Sequence, residues 1–320
     1  MGQRAARSQE SILRIATFVH NNKRHVGQVS ADGLQVTPYA LTEAQAHHGA
    51  QCLIDAMTAG QALPALSGAP LAVSSVKLES PLPVPRRNVW CVGRNYHAHA
   101  KELQASVFKD SNADTKAWPI VFTKVPECVV GPTDDVQLPG AAVSDQIDYE
   151  AELAVIIGQG GKNISQADAM KHVFGYTVVN DVTARDVQMR HQQWDMGKSF
   201  DTFCPMGPCV LDAKSLQDPQ TLKLELKLNG DTKQSSSTAQ MIFPIAALIE
   251  FISSMVTLEP GDIISTGTPS GVGHTSGTFL KDGDTMHGCI EKIGTLVTKV
   301  AKELDCPYES EIVFSRRDDS

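Results

Sequence analysis

A chain of 320 residues, 42% hydrophobic and 20% charged, has the balance of an ordinary globular protein and can bury roughly three quarters of its unfolded surface. Its net charge of -8 excludes the basic face of a general nucleic-acid binder. No apolar run approaches the roughly 20 residues of a membrane span.

The opening stretch "MGQRAARSQE" is basic without the apolar core of a signal peptide, and reads as a tail. Residues 12–37 alternate as short strands punctuated by Asn and Gly turns, and a helical stretch follows over 42–59. Prolines at 64, 70, 81, 83 and 85 then mark a connection, so a small N-terminal α+β domain is predicted over 1–80. A main domain over 81–305 and a tail over 306–320 complete the chain. Within the main domain, "NVWCVG", "IVFTKV", "ELAVIIG", "VFGYTVVND", "LKLELKLNG", "GDIISTG" and "TMHGCIEKIGTLVTKV" read as strands. Helices are predicted around 97–106, 165–172, 182–192 and 243–256. Strands and helices do not alternate regularly, which argues against a doubly wound sheet and for a β-rich α+β roll or barrel with peripheral helices. The seven cysteines, at 52, 91, 128, 204, 209, 289 and 306, form no CxxC pair and no zinc spacing. They read as reduced thiols in a cytoplasmic-type compartment.

Three stretches resemble motifs that they do not complete. "GQGG" at 158–161 lacks the register of a dinucleotide loop, and "GTPSGVG" at 267–273 lacks the Lys-Ser/Thr of a Walker loop. "HAH" at 97–99 offers two imidazoles, with no third ligand at a familiar spacing.

The stretch "DYEAELAVIIG", residues 148–158, carries chemistry. In a strand, Asp148, Glu150 and Glu152 share one face while Tyr149, Ala151 and Leu153 take the other. The following "AVII" is apolar on both faces, so the carboxylates sit where a strand enters a core. Such a face is solvated, holds a proton, or holds a hard oxygen-loving cation. Further on, "FGYTVVNDVTARDVQ" ends a strand at Asn180-Asp181 and begins a helix-compatible run. Asp181 reads either as a helix N-cap or as a third oxygen ligand, with Arg185 and Gln188 four and seven residues later on the same helical face. A guanidinium beside such a site suits a substrate carboxylate.

Five ordered motifs, "CVGRNYHAHAKE", "DYEAELAVIIG", "GYTVVNDVTARDVQ", "GKSFDTFCPMGP" and "GDIISTGTPSGVG", resemble the fumarylacetoacetate hydrolase superfamily over roughly residues 85–302. The nearer likeness is to its fumarylacetoacetate hydrolase domain-containing members and their bacterial relatives. The resemblance implies a mixed β-roll catalytic domain, a homodimer, and one Mg²⁺ or Mn²⁺ per active site. It also implies action on a small β-diketo or 2-oxo acid. By position it makes Glu150, Glu152 and Asp181 the metal ligands, with Asp148 supporting them. Lys198 becomes a stabiliser of enolate charge, and Arg185, Gln188 and Thr268 become substrate-binding residues. His99, rather than His97, matches a water-activating base oriented by Glu102, on a segment whose continuation over 103–117 is a mobile lid. Without the resemblance, Lys198 reads as a surface loop lysine, Thr268 as a turn residue, and His99 with Glu102 as an incidental pair on an exposed helix.

The function expected from this reading is metal-dependent hydrolysis of a C–C bond in an acylpyruvate- or fumarylpyruvate-type acid, releasing a pyruvate-like enolate. Two alternatives keep the same ligands: decarboxylation of a 2-oxo acid, and isomerisation of a dioate of aromatic catabolism. A third, of another class, is a metal-binding scaffold without turnover.

Overall fold

The computed structural model describes residues 12–106, 118–190 and 193–302. The two predicted tails, Cys306 and the 107–117 part of the predicted lid lie outside the described residues. Strands form where apolar alternation predicts them. Arg14–His20 and Lys23–Val29 pair antiparallel from Arg14↔Val29 to His20↔Lys23. Asn21 and Asn22 turn the chain between them at φ 51° and 58°, the left-handed pair that a two-residue hairpin requires.

The largest sheet has twelve strands, ten along an open path and two that branch from it. Its centre is Cys204–Asp212, Val173–Asn180, Ala151–Ile157 and Ile263–Ser265 in that order, followed by Val89–Gly93 and Ile120–Lys124. Arg14–His20 pairs with Cys204–Asp212 (Arg14↔Leu211, Ile15↔Val210), so the first strands extend the same sheet. A five-stranded sheet built around Lys223–Leu228 and Thr285–Ile290 packs against it. The fold is thus the expected β-rich α+β class, with mixed open sheets rather than a closed barrel among the described residues.

Every residue of Ala151–Ile157 and Val173–Asn180 is buried. Side chains alternate between two cores, as the two-residue period demands. Leu153, Val155 and Ile157 join the core that also holds Leu224, Leu226 and Ile249. Ala154 and Ile156 join the one holding Ile15, Leu53, Ile54 and Val89. Glu150 and Glu152 share the parity of Ala154 and Ile156, so the polar site opens at the end of a wholly apolar strand.

Three sequence expectations need adjustment. The helix over 42–59 is two pieces, Glu43–Ala46 and Gln51–Thr58, because Gly49 takes φ 62° between them. A β-carbon there would lie 2.5 Å from the Pro81 carbonyl oxygen. The nine-residue strand Cys204–Asp212 was not predicted, since Pro205 and Pro208 disguise it; the register shift opposite Tyr176 and Val178 accommodates them. The helix predicted over 182–192 begins only at Arg185, because Thr183–Ala184 instead pairs with Ile147–Asp148. Among the described residues no helix is long and apolar enough to cross a membrane.

Candidate active site

Antiparallel pairing brings the acidic residues together. Ala151 faces Asn180 across the two central strands, and the Asp181 amide donates to the Glu150 carbonyl at 2.8 Å, extending the ladder one step. That register places Asp181 beside Glu150 and Glu152. One carboxylate oxygen of each lies within 4.8 Å of the others, and all three residues are at most 5% exposed. A solvated acidic face is therefore excluded. Asp181 caps no helix; its carboxylate turns inward to two lysines.

Three buried cations answer the acids. Lys198 Nζ donates to Glu150 Oε2 at 2.7 Å and to Asp181 Oδ2 at 2.9 Å, and lies 4.9 Å from the Phe122 ring centroid. Lys124 Nζ donates to Asp181 Oδ1 at 2.7 Å, to the Val182 carbonyl at 3.2 Å, and to the Lys198 carbonyl. Arg185 gives Nε to Asp148 at 2.8 Å, one terminal nitrogen to Glu150 at 2.6 Å, and the other to Gln188 Oε1 at 3.1 Å. The expectation that Asp148 supports the ligands has a geometric counterpart, since it holds Arg185 and stands outside the triad.

The surroundings divide the carboxyls. Burial alone would raise Glu150, but Lys198 and Arg185 outweigh it and hold the group below the ordinary carboxylate range. Glu152 goes the other way: burial, then Asp181 and Glu150, push it well above that range. Burial would lower Lys198, yet Asp181 and Glu150 keep it raised and charged.

This donor set fits a hard divalent cation. Three converging carboxylate oxygens match Mg²⁺ or Mn²⁺ chemistry, and a bound positive charge would relieve the repulsion within a buried acidic triad. Glu150, Glu152 and Asp181 would hold the ion. Because Glu152 must lose its proton to ligate, binding releases a proton and tightens as pH rises. The metal-free protein behaves oppositely: a carboxyl raised by folding stabilises it fully below its unfolded value of about 4.5, and that contribution is lost as pH climbs through the folded value. The rise in melting temperature on adding Mg²⁺ should therefore be larger at pH 8 than at pH 6. A flat or falling increment would count against Glu152 as a ligand.

His99 sits on the helix His97–Ser106 and is 2% exposed, whereas His97 is exposed. Its Nδ1 lies 3.2 Å from Glu102 Oε2. Glu102 also accepts from the Thr275 hydroxyl at 2.7 Å and the Gly271 amide at 3.4 Å. Burial would raise the Glu102 carboxyl, but its bonds to His99 and Thr275 prevail and keep it ionised. One partly open pocket is lined by His99, Glu150, Glu152, Arg185, Gln188, Lys198 and Thr268. Asp181 and Glu102 stand directly behind that lining, bonded to Lys198 and His99. All nine predicted site residues thus converge. The Thr268 hydroxyl is already engaged, donating to the Ala151 carbonyl at 3.0 Å and accepting from Gln234 at 2.8 Å.

Other participants were missed. "GTPSGVG" cradles carboxylates rather than phosphate: the amide of Gly267 donates to Glu152 at 2.8 Å and that of Gly273 to Asp148 at 2.7 Å. At Gly273 a β-carbon would lie 2.0 Å from the Thr278 carbonyl oxygen, so only glycine fits. The Ser265 hydroxyl donates to Glu152 at 2.6 Å. Lys124 carried no sequence signal beyond ending an apolar strand. Arg94, Phe122, Trp194 and His274 complete the wall; burial lowers the Arg94 guanidinium to about 10.

The family profile of the fumarylacetoacetate (FAA) hydrolase C-terminal domain matches residues 88–301. The chain is 50% identical over 231 residues to oxaloacetate tautomerase YisK of Bacillus subtilis (strain 168), covering 72% of this chain and 74% of that protein. It is 46% identical over 231 residues to the human mitochondrial oxaloacetate tautomerase FAHD2A, covering 71% and 70%. Among solved structures, a fumarylacetoacetate hydrolase from psychrophilic Exiguobacterium antarcticum matches with a TM-score of 0.78 at 34% identity, over 91% of this chain and 100% of that one. A 2-hydroxyhepta-2,4-diene-1,7-dioate isomerase from Mycobacterium marinum matches with a TM-score of 0.72 at 31% identity, over 91% and 99%.

Proposed function

We propose a reaction from one premise: this chain belongs to the fumarylacetoacetate hydrolase family, whose profile spans 88–301. The reaction is keto–enol tautomerisation of a small 2-oxo diacid of the oxaloacetate type, at a divalent-metal site. The observation that carries it is a carboxylate-oriented imidazole, His99, lining the same pocket as Lys198, Glu150 and Glu152. Tautomerisation moves one proton on or off the carbon next to the oxo group and places negative charge on the oxo oxygen. It needs a proton carrier, a stabiliser of that oxygen, and no attacking water. The polar lining of His99, Arg185 and Lys198 suits a small anionic substrate. The names of two relatives at 50% and 46% identity, both oxaloacetate tautomerases, point the same way.

The residues divide the work. His99 exchanges the carbon-bound proton, while Glu102, fixed by Thr275 and Gly271, holds the ring and supports its cationic form. Lys198, kept charged by Glu150 and Asp181, faces the oxo oxygen as electrostatic stabiliser. Arg185, tied to Asp148, Glu150 and Gln188, fixes the wall and adds positive potential. A bound divalent cation would supply Lewis-acid polarisation of the 2-oxo acid group. A divalent ion would offset the negative charge of the triad, which favours an anionic substrate beside Arg185 and Lys198.

A second reading, hydrolysis of an acylpyruvate C–C bond, is favoured by the same His99–Glu102 pair, which can equally activate water. One experiment separates them. With Mg²⁺, the protein should accelerate loss of the enol absorbance of oxaloacetate without stoichiometric pyruvate, and release no pyruvate from acetylpyruvate. Pyruvate plus acetate from acetylpyruvate would establish the hydrolase instead. In either chemistry, His99→Asn should lower kcat by about 10²-fold or more, while the Mg²⁺-induced rise in melting temperature stays unchanged. Full turnover by that variant would remove His99 from the mechanism.

A further inference from the structure

We propose that His274 contacts the substrate and reads the carboxylate remote from the acidic triad, which makes it a specificity residue for 2-oxo diacids over 2-oxo monoacids. This rests on the 2-oxo acid reading above and says which end of the substrate is recognised by what. His274 lines the same cavity as His99, Arg185 and Lys198. Its Nδ1 is buried and has no hydrogen-bond partner among the described residues. A buried imidazole nitrogen without a partner is costly, and in a ligand cavity the economical reason for it is a partner that arrives with the ligand.

The backbone around His274 sets its place. Its amide donates to Asp148 Oδ2 at 2.9 Å, and the Gly273 amide donates to Oδ1 of the same carboxylate. Asp148 in turn holds Nε of Arg185, whose terminal nitrogen reaches Glu150 in the triad. The order along this network is thus His274, Asp148, Arg185, Glu150, which sets His274 on the Asp148 side of the guanidinium. The two carboxyl carbons of a four-carbon diacid are roughly 4 Å apart when the chain is extended. In the proposed pose, a diacid held by its 2-oxo end at the triad turns its second carboxylate toward His274, on the wall of the same pocket.

The ring is prepared for this role. It makes a tilted contact with Phe279 at 6.5 Å between centroids. Burial, then Arg185, keeps the imidazole below its ordinary value against the opposing pull of Asp148 and Glu102, so the ring is neutral. A neutral imidazole still has one N–H to give a carboxylate. Thr275, the next residue, bonds Glu102. The same short turn thereby touches both the proton carrier's orienting acid and the substrate's far end.

The test is calorimetric binding of oxaloacetate and of pyruvate to the Mg²⁺-loaded protein, in the wild type and in His274→Ala, His274→Asn and His274→Gln. Melting temperature and its Mg²⁺ increment serve as checks on folding. The alanine variant should lose about ten- to hundredfold in affinity for oxaloacetate and little for pyruvate, the effect of removing one hydrogen bond to a charged group. Asparagine, whose amide nitrogen sits near the position of Nδ1, should restore part of the preference; glutamine, which mimics Nε2, should not. If the wild type prefers the diacid and His274→Ala keeps that preference, or loses both acids equally, His274 does not read the second carboxylate. A wild-type protein that binds neither acid overturns the 2-oxo acid reading, and this proposal with it.

Discussion

Glu152→Gln and Glu150→Gln should each abolish metal-dependent turnover, by about 10³-fold or more, yet differ sharply in what they do to the metal-free fold. Loss of Lewis-acid stabilisation worth several kcal/mol accounts for the common effect. The difference follows from the partners. Glu152, pushed toward its neutral form, accepts from Ser265 and the Gly267 amide through a single oxygen. A glutamine carbonyl can take both bonds, so metal-free stability should change by less than about 1 kcal/mol. Glu150 is an ionised acceptor for Lys198 and Arg185 at once. A neutral amide there leaves two buried cations short of a counter-charge, and the cost should be about 3–5 kcal/mol. Denaturant unfolding of both variants in EDTA, beside activity with Mg²⁺, gives the comparison. Equal destabilisation would mean that Glu152 is ionised in the metal-free protein, contrary to the charge distribution described above.

That contrast also shows where the sequence is informative. The two-residue spacing of Glu150 and Glu152 before "AVII" announces carboxylates at the mouth of a buried strand, and the structure puts them there. Asp181 is visible as an acid at a strand end. Its meeting with the glutamates depends on the register Ala151↔Asn180, a tertiary fact that local spacing does not carry. Lys198 reads as an ordinary loop lysine until the fold closes Glu150 and Asp181 around it. The glycine loop is legible as a site where backbone approaches closely, but its cargo is not: the carboxylates it binds come from positions more than one hundred residues away. Prolines hide the strand Cys204–Asp212 because local propensity counts against them, whereas the sheet tolerates them at a register shift. Among these residues Lys124 is the least legible, a single lysine at the end of "IVFTK" with no neighbour in sequence that shares its function.

Lys124→Met should therefore have the largest effect of any substitution outside the predicted site. The side chain is fully buried, and its three N–H donors go to Asp181, the Val182 carbonyl and the Lys198 carbonyl. Methionine is close in volume and shape, so packing is largely kept while the charge and all three bonds are removed. Asp181 would keep Lys198 as its remaining cation, and the expected loss of stability is about 3–5 kcal/mol. Activity should fall as well, because the bond to the Lys198 carbonyl anchors the turn that aims the Lys198 ammonium at Glu150. A double-mutant cycle with Asp181→Asn isolates the charge pair. Removing both charges should be less harmful than the sum of the single changes, by about 1–3 kcal/mol, as expected for residues sharing one buried network. The kinetic readout separates positioning from mere loss of fold. In a Lys124→Met protein shown to be folded at the assay temperature, kcat should drop more than the affinity for oxaloacetate, since the displaced ammonium no longer stabilises the charge that develops during reaction. Additive stabilities together with an unchanged kcat would reduce Lys124 to a tolerated buried lysine, and the acidic triad would then owe its geometry to the strands and Lys198 alone.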